Sequence, residues 1–149
     1  MKLVDTMRRR RVNLVCLQET KWKGKKTKEI NVYKIWYTRK DNNRNDVGII
    51  VDKDLKDKVV SVKRIGDRLL LIELVLGEEI INIISAYTPQ IGLDDRIKRQ
   101  FWEDIDGIAQ DIPNREMTFL GGDLNGHVGN DNRGYEMVHV GVLGKKCNG

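Results

Sequence analysis

Four residues of this chain carry side chains that phosphate-ester chemistry uses, and each stands at or just past the end of an apolar run. Glu19 follows "VCLQ", Tyr87 follows "IISA", and Asp123 and Asn125 follow "TFLGG". A carboxylate can bind a hard divalent cation such as Mg2+, which takes oxygen ligands and keeps some of its waters. Glu19 suits that role. Phosphodiester cleavage also needs a group to deprotonate or orient water, and donors that meet the developing negative charge. Asp123 is a candidate for the water. Asn125 could hold that carboxylate or a phosphate oxygen, because an amide both donates and accepts, and Tyr87 could donate its hydroxyl to a phosphate. Each also has a plainer reading. A carboxylate at a strand end is often solvated or a helix cap, Asp-x-Asn between glycines is turn chemistry, and a tyrosine before Thr88-Pro89 can be a core aromatic with a wet hydroxyl. His127 reads as a loop residue. Only a fold that gathers three distant strand ends would make these residues one site.

The elements that would have to do so are visible as patterns. Residues 2–10 predict a short helix with Leu3, Val4 and Met7 on one face and arginines on the other. "VNLVCLQ" at 12–18 is nearly continuous in apolar residues, as a strand covered on both faces would be. "YKIWYT" at 33–38 and "DVGIIVD" at 46–52 are strand-like and flank a polar turn, and "VVSVKRI" at 59–65 alternates as an exposed strand would. "RLLLIELVL" at 68–76 and "IINIISAY" at 80–87 read as a hairpin around "GEE". A helix capped by Asp94 or Asp95 carries the stripe Ile97, Phe101, Ile105, Ile108, Ile112. Pro113-Asn114 stops it, "EMTFLGG" returns as a strand, and no strong element is expected after Gly126. Strands before and after helices imply an α/β domain, one unit over 1–149, with its sites at converging strand ends.

Composition narrows the class. A chain of 149 residues, 40% hydrophobic and 33% charged with two prolines, is globular rather than disordered. It lacks an apolar run of about 18 residues that would cross a membrane, and its N-terminus lacks a signal-peptide block. Cys16 sits in an apolar run and Cys147 in a polar tail, so no disulfide framework is expected and an intracellular, reducing setting fits. Net charge is +5, concentrated in "RRRR" at 8–11, "KWKGKKTK" at 21–28 and the Lys53–Arg64 region. Such blocks either attract a nucleic-acid backbone by releasing its counterions or form a solvated face. "RRRR" is compatible with nuclear import or with an exposed helix face, so nucleus and cytoplasm stay unresolved.

"LQETKW" at 17–22, "SAYTPQ" at 85–90 and "GGDLNGHVG" at 121–129 occur in the order seen in the endonuclease/exonuclease/phosphatase superfamily, which the chain resembles over nearly its whole length. "RRRVNLVCLQETKW", "GIIVDKDLKDKVV" and "KRQFWEDIDG" look like a subgroup that includes craniofacial development protein 2-like and non-LTR retrotransposon endonuclease domains. The resemblance implies a four-layer α/β sandwich, two mixed β-sheets face to face with helices outside, incomplete here at both ends. It implies Glu19 as ligand of Mg2+ (or Mn2+), Tyr87 on the scissile phosphate, Asp123 aligning or deprotonating water, and Asn125 orienting Asp123 and the phosphate. It implies DNA as partner and no membrane.

The chain departs from the family pattern at both ends. It begins at the helix rather than at an asparagine-bearing strand, and "VHVGVLGKKCNG" holds no Asp-His pair; His139 does not match that context. These residues alone are therefore expected to be weakly active or inactive as a DNA endonuclease. Two other readings stand beside this one: a non-catalytic nucleic-acid-binding or interaction module of retroelement origin, and a phosphatase or lipid phosphodiesterase of the same superfamily.

Overall fold

Alternation along the buried strands builds three apolar layers from one sequence. In β1 (Leu14–Gln18), Leu14 and Cys16 point one way and Val15 the other. In β4 (Val47–Val51), Val47, Ile49 and Val51 oppose Ile50 in the same manner. In β3 (Tyr33–Tyr37), Trp36 joins the first set, and Tyr33, Ile35 and Tyr37 join the second. The second set packs with Val4 and Met7 of α1 (Lys2–Arg10). Strands covered on both faces must be apolar at nearly every position, which is why the runs read as continuous.

The computed structural model describes residues 2–18, 27–30, 32–38, 47–89, 92–123, 136–139 and 142–143, with the backbone alone at 2–3, 27–28, 123, 136–139 and 142–143. Besides the elements above it contains β2 (Thr27–Ile30), α2 (Lys53–Lys56), β5 (Val59–Ile65), β6 (Leu69–Leu76), β7 (Glu79–Tyr87), α3 (Asp95–Asp111), β8 (Met117–Asp123), β9 (Glu136–His139) and β10 (Val142–Leu143). One sheet runs β10-β1-β4-β3-β2 and the other β5-β6-β7-β8-β9. Their facing sides meet in a core of residues such as Ile49, Ile72, Ile83 and Phe119. The far side of the second sheet packs Leu69, Ile84 and Leu120 against Phe101, Ile105 and Ile108 of α3. Helix, sheet, sheet and helix make four layers, the α/β sandwich expected.

Several details differ from expectation. Two mixed sheets were anticipated, but the first sheet pairs antiparallel throughout its described strands, and only the second is mixed. β2 lies partly within the basic run at 21–28, where lysines mask strand propensity. α2 is one turn, set by Asp52, whose carboxylate accepts from the Asp54 and Leu55 N–H groups at 2.9 and 3.1 Å and from the Asn13 amide. β9 and β10 follow Gly126 and are held by pairing with β8 and β1 rather than by any apolar run of their own. The α3 stripe is longer than the face it buries: Ile97 is 42% exposed and Ile112 half-buried.

Two local features carry testable energies. α1 ends with Arg11 at φ 54, while Val12 N–H donates to the Met7 carbonyl at 2.9 Å. This is a Schellman-type stop with an arginine where glycine is favoured. A left-handed non-glycine residue costs about 1 kcal/mol, so Arg11→Gly is expected to raise the urea midpoint, by roughly 0.5–1 kcal/mol of stability.

Cys16 is the second. Burial pushes its thiol up to about 12 from 9.0, against the opposing pull of a hydrogen bond with Ser85. A thiol whose pKa is raised by folding contributes stability that is complete below 9.0 and is lost as pH climbs toward about 12. The stability gap between the native chain and Cys16→Ala should therefore narrow as chemical unfolding is repeated from pH 8 to pH 11. Alkylation of Cys16 at pH 8 should await unfolding.

Candidate active site

Tyr87 is the last residue of β7, a strand buried from Ile81 onward. β7 pairs antiparallel with β6 and parallel with β8, in the register Ser85↔Gly121, Ala86↔Gly122 and Tyr87↔Asp123. Two residues 36 positions apart in sequence thus end neighbouring strands side by side. The pairing is close because Gly122 has no side chain. Its φ is +123, and a Cβ there would lie 2.0 Å from the Ala86 carbonyl oxygen. No L residue could occupy that position without moving one of the two strands that carry the candidate residues.

The end of the first sheet is tied to the same place. Ser85 Oγ, fully buried, donates to the Leu17 carbonyl at 3.3 Å, so the end of β1 is anchored beside the end of β7. Thr38 Oγ1 donates to the Asp67 carbonyl at 2.8 Å, and Arg64 Nε donates to the Tyr37 carbonyl at 3.0 Å. One mouth of the sandwich therefore gathers the ends of β1, β3, β7 and β8 with the turn between β5 and β6. Gln18 is the last described residue of β1, and its buried Nε2 has no hydrogen-bond partner among the described residues. Glu19 follows it directly but lies outside the described residues, as do Asn125 and His127; for Asp123 only the backbone is described.

Tyr87 itself is 6% exposed. Its N–H donates to the Arg68 carbonyl at 3.0 Å, and Arg68 Nη1 donates back to the Tyr87 carbonyl at 3.5 Å. The Arg68 guanidinium stands over the Tyr87 ring, 5.8 Å from its centroid. Arg64 supplies a second cation to this mouth, and burial pulls its guanidinium below its usual range, though an arginine stays charged in practice. Among the described residues no three of His, Cys, Asp and Glu come together as a metal cluster. The described mouth thus sets Arg64 and Arg68 beside the paired ends of β7 and β8, a cationic rim that attracts an anion.

The structure pairs Tyr87 with Asp123 and sets the end of β1 beside them. Sequence reasoning missed Arg68, Ser85 and Gly122 as parts of the mouth. Arg68 was accessible: β6 and β7 turn at Gly77-Glu78 with Leu76↔Glu79, and counting back along that register sets position 68 opposite Tyr87. Ser85 and Gly122 carried no such signal, since their roles depend on a second strand. Beside the mouth, a groove of about 470 Å³ runs between Ile65–Leu69 and the first half of α3. It shares Arg68 with the site but does not contain Tyr87.

The glycine constraint gives a paired test. Gly122→Ala should cost about 3 kcal/mol or more, because it adds both overpacking and a strained φ. Gly107→Ala, in α3 with open space around the added Cβ, should instead stabilise by about 0.5–1 kcal/mol. Thermal melts of the two variants check the opposite signs.

The sequence model of the Endonuclease/Exonuclease/phosphatase family matches residues 2–136. Craniofacial development protein 2 of Bos taurus is 23% identical over 124 residues, which are 83% of this chain and 21% of that protein. Its counterpart in Tragulus javanicus is 23% identical over 124 residues, covering 83% of this chain and 22% of that protein. The chain thus spans only those shares, 21% and 22%, of the relatives it matches. A crystal structure of TDP2 from Caenorhabditis elegans superposes with a TM-score of 0.58 at 18% identity, over 83% of this chain and 40% of that one, a likeness of fold. With its two sheets, flanking helices and nearly full-length match, this chain belongs to the Endonuclease/Exonuclease/phosphatase family.

Proposed function

We propose that this chain is a Mg2+-dependent, endonuclease-type phosphodiesterase domain that acts on DNA and derives from a retroelement endonuclease. The observation that carries the reading is the parallel register Tyr87↔Asp123 at the mouth of the sandwich. It puts a phenol donor and a carboxylate-bearing residue on adjacent strand ends, with Arg64 and Arg68 beside them.

In this reading Tyr87 donates its hydroxyl to the scissile phosphate. The side chain of Asp123 aligns or deprotonates the attacking water, and Asn125 orients that carboxylate and the phosphate. Glu19, directly after the anchored end of β1, is the proposed ligand of Mg2+ or Mn2+, on the chemistry of a hard cation with a carboxylate. The metal would supply charge neutralisation at the phosphate when bound. Arg64 at the mouth favours an anionic substrate, and the chain's net charge of +5 favours a polyanion over a small phosphoester. No helix among the described residues is long and apolar enough to cross a membrane. An intracellular setting is part of the proposal.

Nicking of supercoiled plasmid, with Mg2+ and with chelator, tests it. Asp123→Ala is expected to lower nicking about 100-fold or more while melting like the parent chain, and chelation is expected to abolish it. Equal nicking by a folded Asp123→Ala variant would remove Asp123 from the reaction. One observation favours a second reading: Arg64 and Arg68 bring two cations to the mouth. DNA binding that weakens with salt, survives Asp123→Ala and comes with no cleavage at any Mg2+ concentration would make this a binding module instead.

A further inference from the structure

We propose that Arg68 is the positioning residue of Tyr87, acting on the phosphate only through that ring; the proposal rests on the reading of Tyr87 as the phosphate contact. Three links join the two residues. The Tyr87 N–H donates to the Arg68 carbonyl at 3.0 Å, Arg68 Nη1 donates to the Tyr87 carbonyl at 3.5 Å, and the guanidinium covers the ring at 5.8 Å. The first fixes the backbone. The other two depend on the side chain, and together they clamp the tyrosine from its main chain to its ring face. A guanidinium suits this task because it is planar, stacks on aromatic faces and holds five donors in a rigid fork.

Arg68 forms no ion pair among the described residues, whereas Arg96 across the same groove is tied to Asp94 at 3.2 Å. Tyr87 belongs to the core between the two sheets, and the Arg68 guanidinium is the cation that covers its ring there. Holding the hydroxyl in place before substrate arrives is how a positioned donor gains rate, and small misplacements lose it.

Two measurements on the 149-residue chain decide the matter, each on Arg68→Met, which keeps the stem, and Arg68→Lys, which keeps the charge. In spectra of chain carrying ring-labelled tyrosine, the Tyr87 signal is identified by its loss in Tyr87→Phe. It should move in Arg68→Met and only partly return in Arg68→Lys, while Tyr33 and Tyr37, packed against α1, stay put. In plasmid nicking, Arg68→Met should lower kcat roughly tenfold or more with KM within about twofold, and Arg68→Lys should recover less than half of the loss. In a Tyr87→Phe background, which has no hydroxyl to position, Arg68→Met should add less than about twofold.

An unmoved Tyr87 signal in Arg68→Met would overturn the proposal. So would full rescue by Arg68→Lys, or an undiminished loss in the Tyr87→Phe background. If the folded parent chain does not nick DNA at all, the ring signal alone decides whether Arg68 holds Tyr87.

Discussion

The carbonyl of Ala86 and the α-carbon of Gly122 lie so close that a single added methyl would sit 2.0 Å from the oxygen. Everything at the mouth of the sandwich depends on that contact. Because β8 can come this near to β7 at its last turn of pairing, the parallel ladder runs through to Tyr87↔Asp123 instead of splaying open one residue earlier. Parallel strands need a long crossover, and α3 supplies it by crossing the far face of the sheet on Phe101, Ile105 and Ile108. A glycine forced into a left-handed φ by its neighbour is a costly choice in a strand interior. Here it sets the separation of two candidate reacting groups.

A second constraint comes from the facing sheet. Two sheets packed on an apolar core can slide, since hydrophobic contact is not directional. Three hydrogen bonds at one end resist this: Ser85 to Leu17, Thr38 to Asp67 and Arg64 to Tyr37. Each ends on a backbone carbonyl, so each fixes chain position rather than a mobile side chain. Such bonds are individually modest, about 1 kcal/mol each, but a buried hydroxyl such as that of Ser85 also costs free energy if its partner moves away. The polar ties are concentrated at the mouth, where the register of one sheet relative to the other matters to the chemistry proposed.

The electrostatic character of the mouth follows from these same ties. Arg64 and Arg68 flank the Gly66-Asp67 turn, and anchoring that turn to both sheets brings both guanidiniums inward. The arginines of α1 do the opposite, standing exposed on the outer helix while Val4 and Met7 are buried. Positive charge in this chain therefore serves two ends, an outer solvated face and a small inner cluster beside Tyr87.

The sequence by itself determined most of the elements and an α/β class, and its resemblance to a family supplied the four layers. "VNLVCLQ" reads as a strand covered on both faces, "RLLLIELVL" as one arm of a hairpin, and the 3.6-residue stripe through Phe101, Ile105 and Ile108 as a helix with one apolar face, and the structure contains all three. The residue types and their quoted motifs also marked Glu19, Tyr87, Asp123 and Asn125, and of these the described structure joins Tyr87 with Asp123. β2, α2, β9 and β10 escaped detection because strand pairing or a single capping aspartate holds them, and neither leaves a periodic trace. Only the tertiary structure decided that Ser85 locks one sheet to the other, that Gly122 yields its side chain to Ala86, and that Arg68 covers Tyr87. Local patterns record which face a residue turns to the core; they do not record how closely two strands approach across it, and in this fold that distance sets the site.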